Sequence, residues 1–380
     1  MQDWNTRKAL ALSKAKRIVV KVGSAVLTGK SGIDPQVVAG LAKDLSALHA
    51  MGREIILVSS GAVAAGRAVI RRRAGDDLPQ RQAASAIGQS RLMHAYDQEF
   101  AARGVITAQI LLIRDDLEER ERYLNLRNTL RALLSWRVLP IANENDTVAV
   151  QELVYGDNDC LAGLLVGMAG ADLFVNLTSA KGVFRENPDE NPQAACYDCL
   201  ESISTLDLEA MCQGKTASGT GGMYSKLLAA KRVAQLGVPT LILSGREKDG
   251  LTRVFAGESL GTWVMPEGRA ISRRKYWLAY NVEPKGALWV DQGAAKALRQ
   301  KGSSLLPAGI VRVEGEFEKG SSVRILDPQG QTVGVGLANY PSQDLSRIMG
   351  LKSGDIAKVL GQAPYPDAVH RDNMLLDAAL

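Results

Sequence analysis

Cysteine is scarce, with four in 380 residues. That is too few for a disulfide scaffold, so a reduced cytoplasm is the expected setting. Histidine is scarcer: His49, His94 and His370 are scattered, and none has a Cys or Glu nearby at ligand spacing. Cys196-Tyr-Asp-Cys199 is a lone C-x-x-C with no second pair, which does not make a zinc site. No long hydrophobic run is present. The longest uncharged apolar stretch, Cys160 to Ala171, falls well short of the roughly 18–20 residues that cross a bilayer. The first residues, MQDWNTRKALALSKAKR, have scattered charges and no apolar core, so a secretory signal is not expected. A large charge of one sign is missing as well. The net charge is +5, and Lys+Arg balance Asp+Glu from Glu283 onward, so the basic excess sits in the earlier part. Such an excess suits anionic substrates or nucleic acid, and charge alone does not choose between them.

What is present is an ordinary globular composition, 46% apolar and 23% charged, which excludes a disordered chain. The length predicts two or three domains. From Arg17 to about Met265, short β-branched runs alternate with helical patterns. Strands are expected at Ile18–Val22, Glu54–Ser59, Val105–Leu112, Val138–Ala142, Leu173–Leu177 and Thr240–Leu243. Helices are expected at Gln36–Met51, Gln80–Ala102, Glu118–Leu134, Asp159–Met168 and Met223–Leu236. Strands with consecutive buried residues, separated by helices, argue for a mostly parallel sheet covered on both faces, a three-layer α/β/α sandwich. The expected division is a catalytic domain over 1–265, a basic, aromatic joint over 266–282 and a small β-rich domain over 283–375. In that last part, short strands are separated by turns such as Lys319-Gly320 and Asp327-Pro-Gln-Gly330.

Neither common nucleotide fingerprint is intact. Gly29-Lys30-Ser31 and Gly214-Lys215-Thr216 lack the earlier glycine of a P-loop, and Gly219-Thr-Gly221 lacks the third glycine of a dinucleotide turn. Three other loops suit an anion. Val20-Lys21-Val22-Gly23-Ser24 puts a lysine at a strand's C-terminal end, where open α/β sheets bind ligands. Ser59-Ser60-Gly61-Ala62-Val63-Ala64-Ala65-Gly66 runs from a strand into a helix of small residues, so a ligand can approach free backbone N–H groups. Gly219-Thr220-Gly221-Gly222-Met223-Tyr224-Ser225-Lys226 combines flexible glycines, a hydroxyl and a lysine in a helix's first turn. That lysine opposes the helix dipole at a cost that an anion offsets. Between them lie two acidic, amide-rich loops, Asn143-Glu144-Asn145-Asp146 and Gly156-Asp157-Asn158-Asp159. These could hold an ammonium group or help place magnesium, and Asp157 or Asn158 is a natural N-cap.

Together these motifs resemble the glutamate 5-kinases, a branch of the amino acid kinase family. The resemblance continues into Val290-Asp-Gln-Gly-Ala294 and Lys301-Gly-Ser-Ser-Leu-Leu-Pro307, which look like an appended PUA domain. It implies the amino acid kinase fold and ATP-dependent phosphorylation of the γ-carboxylate of L-glutamate, the first step of proline biosynthesis. By the family's pattern, Lys21 and Lys226 would clamp the transferring phosphoryl group, with Gly23 and Ser24 lining its path. Thr178, Ser179, Thr220, Gly221, Gly222, Met223, Tyr224, Ser225 and Lys226 would hold the nucleotide. Ser60, Gly61, Ala62, Asn143, Asp146, Asp157 and Asn158 would serve glutamate. One departure is Ser179, where family members often have Asp. The resemblance also implies Mg2+ with the ATP but names no protein metal ligand, and it suggests proline feedback and a homo-oligomer. Two alternatives stand beside it. One is a related kinase with another acceptor: acetylglutamate, aspartate, carbamate or a nucleotide. The other is an RNA-binding PUA protein, which the balanced charge after Glu283 argues against.

Overall fold

The computed structural model describes residues 3–29, 32–70, 77–149, 158–188, 190–191, 193–212, 222–267 and 270–376. The chain forms two compact units, Met1–Ala270 and Ile271–Leu380.

The first unit begins with α1 (Trp4–Lys14), β1 (Arg17–Val22), α2 (Ser24–Leu27), the short strands β2 (Thr28–Gly29) and β3 (Gly32–Ile33), α3 (Pro35–Ala50) and β4 (Glu54–Val58). It continues through α4 (Ala62–Ile70), α5 (Leu78–Ala101), β5 (Thr107–Leu112), α6 (Asp115–Glu118), α7 (Arg120–Ser135) and β6 (Leu139–Glu144). Then come α8 (Asn158–Ala169), β7 (Leu173–Thr178), β8 (Cys199–Leu200), α9 (Leu208–Met211), α10 (Met223–Ala234), β9 (Thr240–Ser244), α11 (Gly250–Phe255) and β10 (Thr262–Val264). Among the described residues the main sheet has eight strands in the order β5-β6-β4-β1-β7-β9-β10-β8. The first six run parallel, and β10 is antiparallel to β9 but parallel to β8.

Side chains alternate across a strand, so each strand serves both faces. Ile18, Val20 and Val22 of β1 and Leu173, Val175 and Leu177 of β7 pack with Leu41, Leu45 and Leu48 of α3 and with Leu92, Tyr96 and Phe100 of α5. The intervening residues, Lys21 of β1 and Asn176 of β7, face α8 instead, where Asp159 meets both. This is the expected three-layer arrangement. All six strands expected in this unit form, their ends shifted by up to two residues. The short β8 and β10 and the N-terminal helix α1 were not expected. Three apolar or aromatic residues (Thr262–Val264) carry too little period to be read as a strand.

The crossing of α4 and α5 is set by glycine. A Cβ on Gly66 would lie 1.8 Å from the Ala84 carbonyl oxygen, and one on Gly88 would lie 1.8 Å from that of Ala62. The two helices therefore touch backbone to backbone, which only glycine permits at these positions.

The second unit holds α12 (Arg273–Tyr280), β11 (Gly286–Val290), α13 (Gln292–Lys301), β12 (Ile310–Glu314), β13 (Ser322–Leu326), β14 (Thr332–Ala338), α14 (Ser342–Ile348), α15 (Ile356–Leu360) and β15 (Val369–Leu376). Its five-stranded sheet runs β12-β11-β13-β14-β15 around a core of Leu288, Val290, Leu298, Val323, Ile325, Val333, Leu345 and Ile348. The joint read over 266–282 contains α12, capped by the Ser272 hydroxyl, which accepts from the Lys275 N–H, and with Tyr276 and Leu278 buried. Strand β15 is also absent from the sequence reading, because four polar residues, His370-Arg-Asp-Asn373, interrupt the apolar pattern, Arg371 and Asp372 being exposed. Among the described residues no helix is long and apolar enough to cross a membrane.

Replacing Gly88 by alanine should push α5 off α4 and lower stability by about 1–3 kcal/mol, the usual cost of overpacking. Urea unfolding of the variant against the parent measures this, and an unchanged midpoint would contradict the close crossing.

Candidate active site

The site gathers at the C-terminal ends of the parallel strands. Lys21 is the penultimate residue of β1 and is almost fully buried, 3% exposed. Its Nζ stands 2.5 Å from Oδ1 of Asp159, a fully buried residue in the first turn of α8. The other oxygen of the same carboxylate, Oδ2, lies 3.2 Å from Nζ of Lys226, in the first turn of α10. Two ammonium groups far apart in sequence thus sit on the two oxygens of one carboxylate. Asn176 Nδ2 donates to Oδ1 (2.8 Å) and the Ser225 hydroxyl donates to Oδ2 (3.0 Å). Asp159 is well placed at a helix N-terminus, where the dipole favours an anion. Lys226 is badly placed by the same rule. The sequence reading assigned the offsetting charge to a bound anion, whereas in the fold Asp159 is itself such an anion.

Around this centre, the Gly23 N–H donates to the Leu177 carbonyl, tying the end of β1 to that of β7. Ser24 is exposed at the start of α2. Thr178 ends β7 and is buried, while Ser179 beyond it is exposed. Ser179 borders a cavity of about 550 Å3 lined also by Lys181, Phe184, Pro188, Gln193 and Cys196. Gly222 precedes α10, its carbonyl accepting from the Ser225 hydroxyl at 2.9 Å, and Met223 and Tyr224 follow on the first turn. Thr220 and Gly221 lie outside the described residues.

The expected amino-acid-binding residues assemble at the ends of β4 and β6. Asn158, nine-tenths buried, donates through Nδ2 to the Ser59 carbonyl (2.8 Å), the Ser60 hydroxyl (2.7 Å) and Asn143 Oδ1 (3.1 Å). Its own Oδ1 is buried and meets no donor among the described residues. Gly61 has φ +100°, a turn that favours glycine, and Ala62 opens α4 behind it. Asp146 accepts from the Ser85 hydroxyl at 2.6 Å. Asp157 lies outside the described residues.

Several functional neighbours escaped the sequence reading. Ser85, Gln89 and Tyr96 line one face of α5 at helical spacing. They hold Asp146, Asn143 (Nδ2 to Gln89 Oε1, 2.8 Å) and the Ser59 hydroxyl (2.9 Å) respectively. A polar stripe on a helix that also supplies Leu92 and Phe100 to the core was the available signal. Asp159 reads in the sequence only as part of a loop that could hold an ammonium group or help place magnesium, and Asn176 as part of an apolar strand.

The cysteines carry no comparable site. All four are free. Burial pushes the Cys199 thiol up to about 11, with the Glu201 carboxylate adding to the effect, and burial also raises Cys196. Both stay protonated at neutral pH, which suits packing rather than metal binding. Among the described residues no group of three His, Cys, Asp or Glu gathers as metal ligands.

Comparison with known proteins places this geometry. The profile described as "Amino acid kinase family" matches residues 16–244, and the profile "PUA domain" matches residues 286–360. A glutamate 5-kinase of Nitratidesulfovibrio vulgaris is 58% identical over 100% of both chains. A glutamate 5-kinase of Geobacter sulfurreducens is 46% identical over 96% of this chain and 98% of its own. Among solved structures, carbamate kinase from Giardia lamblia bound to AMP-PNP aligns at TM-score 0.49 and 18% identity, covering 67% of this chain and 100% of that one. Profile coverage of most of the first unit, together with full-length identity well above that needed for common descent, means that this chain belongs to the amino acid kinase family, in its glutamate 5-kinase branch.

Proposed function

We propose that this chain transfers the γ-phosphoryl group of ATP to the γ-carboxylate of L-glutamate, giving L-glutamyl 5-phosphate for proline synthesis. The observation that carries the reading is the meeting of Lys21 and Lys226 on the single carboxylate of Asp159, beside the pocket built by Ser60, Asn143, Asp146 and Asn158.

The chemistry fits these residues. A γ-carboxylate is already ionised at neutral pH, so no general base is needed, and this site has no histidine among its residues. A carboxylate oxygen attacks the γ-phosphorus, the bond to the bridging β,γ oxygen breaks, and ADP leaves with that electron pair. The obstacle is repulsion between two anions and their in-line alignment. Lys21 at a strand end and Lys226 at a helix start supply fixed positive charge where negative charge spreads in the transition state, with no reorganisation during the step. Gly23 and Ser24 border the phosphoryl path. The backbone N–H groups at the start of α10, from Gly222 into its first turn, cradle the phosphates. Thr178, Ser179 and the cavity between Phe184 and Pro188 accommodate the nucleoside, in a space where those two apolar side chains face the polar Ser179, Lys181 and Gln193. With Ser179 in place of Asp, a hydroxyl stands there instead of a carboxylate.

On the amino-acid side, the orphaned Asn158 Oδ1 and the Asp146 carboxylate are acceptors suited to the substrate ammonium. The Gly61 turn and the start of α4 offer N–H groups to a carboxylate. Magnesium is expected to arrive with ATP. Asp159 is a poor ligand for it, since both oxygens already accept from Lys21, Asn176, Lys226 and Ser225, and no step here is routed through the metal. Proline, with a secondary ammonium and an α-carboxylate, suits the same acceptors and N–H donors as a feedback inhibitor. A homo-oligomer and a cytoplasmic setting complete the reading.

The deciding assay combines ATP, glutamate and hydroxylamine, which traps an acyl phosphate as a hydroxamate. Glutamate-dependent hydroxamate is expected, and hydroxamate formed with aspartate but not glutamate would overturn the acceptor assignment. Lys226→Ala should remain folded by circular dichroism and lose about 10²–10³ in kcat, the usual cost of removing one such charge-stabilising donor. Asp146→Ala should raise the KM for glutamate with a smaller effect on kcat, and an unchanged glutamate KM would remove Asp146 from substrate binding.

A further inference from the structure

Asn176 breaks an otherwise apolar run, Leu173-Phe-Val-Asn-Leu177, in a strand near the middle of the main sheet, and it is fully buried. Asparagine is disfavoured in strands, and burying a carboxamide costs stability unless its hydrogen bonds are made. Here only half are made. Nδ2 donates to Asp159 Oδ1 at 2.8 Å, while Oδ1 meets no donor among the described residues. An aliphatic residue would fill this place at less cost, so packing alone does not account for the amide.

Its location suggests a purpose. Lys21 and Asn176 are direct register partners on the adjacent parallel strands β1 and β7, so their side chains leave the same face of the sheet. Both end on the same carboxylate oxygen. A lysine ammonium is a point charge and does not fix the plane of the carboxylate it holds. A carboxamide N–H is directional and does. With Oδ1 held from two directions, Oδ2 is aimed at α10, where Ser225 and Lys226 receive it.

We infer that Asn176 is a positioning residue for phosphoryl transfer: it fixes the plane of the Asp159 carboxylate and thereby sets Lys21 and Lys226 relative to each other. The inference rests on the kinase reading, in which those two lysines stabilise the transferring group. Asn176 touches neither substrate in this account, so its removal acts on kcat and not on binding.

Two variants test it in the full-length protein by the hydroxamate assay. Asn176→Leu keeps the branched outline at somewhat greater bulk and removes the donor. Asn176→Ala removes the donor and adds neither bulk nor charge. Both should lose on the order of ten-fold or more in kcat per folded enzyme, as expected for losing a hydrogen bond to a charged group. The KM for glutamate and for ATP should stay within about two-fold of the parent. The unfolding midpoint of Asn176→Leu is not the readout, since losing the orphaned oxygen and losing the hydrogen bond to Asp159 act on it in opposite directions. A purely structural role lowers the midpoint or leaves it alone with kcat per folded enzyme unchanged. Parental kcat in folded Asn176→Leu overturns the inference, and if that variant does not fold, parental kcat in Asn176→Ala does so. A parent enzyme that makes no glutamate hydroxamate fails the kinase reading instead, which keeps the two failures apart.

Discussion

A buried carboxylate shared by two lysines organises this protein's first unit. Charges as deeply buried as Asp159, Lys21 and Lys226 are tolerated only when they are paired and hydrogen-bonded. Each element that contributes a partner is thereby constrained: β1 through Lys21, β7 through Asn176, α8 through Asp159, and α10 through Ser225 and Lys226. Removing Asp159 would leave two ammonium groups uncompensated in a dry interior, which is far more costly than never having buried the set, whereas removing either lysine leaves a one-to-one pair. The cluster therefore selects one arrangement of two helices on one face of the sheet.

The opposite face solves a different problem. Here α4 and α5 cross through Gly66 and Gly88 with almost no side chain between them. That crossing brings the polar stripe of α5 under the loops that follow β4 and β6. Ser85, Gln89 and Tyr96 then brace Asp146, Asn143 and Ser59 from below. The Ser60, Asn143 and Asn158 cluster is thus braced by small residues that let a helix come close, while the Lys21 and Lys226 pair is held by buried charge.

Much of this was legible in the sequence. The alternation of β-branched runs with amphipathic segments gave the parallel sheet, because a strand covered on both faces must be apolar at nearly every position. The glycine-flanked lysines at Lys21 and Lys226 and the amide-rich loops at Asn143–Asp146 and Asn158 stood out, although a solvated strand end and helix capping are ordinary uses of some of the same residue types. What stayed hidden depends on three-dimensional neighbours. Asp159 reads locally as a helix-start acid, and nothing nearby shows that two distant lysines will claim it. Asn176 reads as a blemish in a strand until register places it beside Lys21. Strand β15 pairs with β14, so its exposed Arg371 and Asp372 between buried Val369 and buried Met374 and Leu375 make sense only within the second unit's sheet.

The two lysines differ in how they are delivered. Lys21 rides on a strand hydrogen-bonded on both sides, by β4 and by β7, whereas Lys226 enters on a helix from near the end of the first unit. Contacts between segments so distant in the chain close long loops at an entropy cost that local contacts do not bear. Displacement of α10 can therefore leave much of the sheet in place and still part the two lysines. Turnover, more than helix or sheet content, is the measure of whether the whole unit has come together.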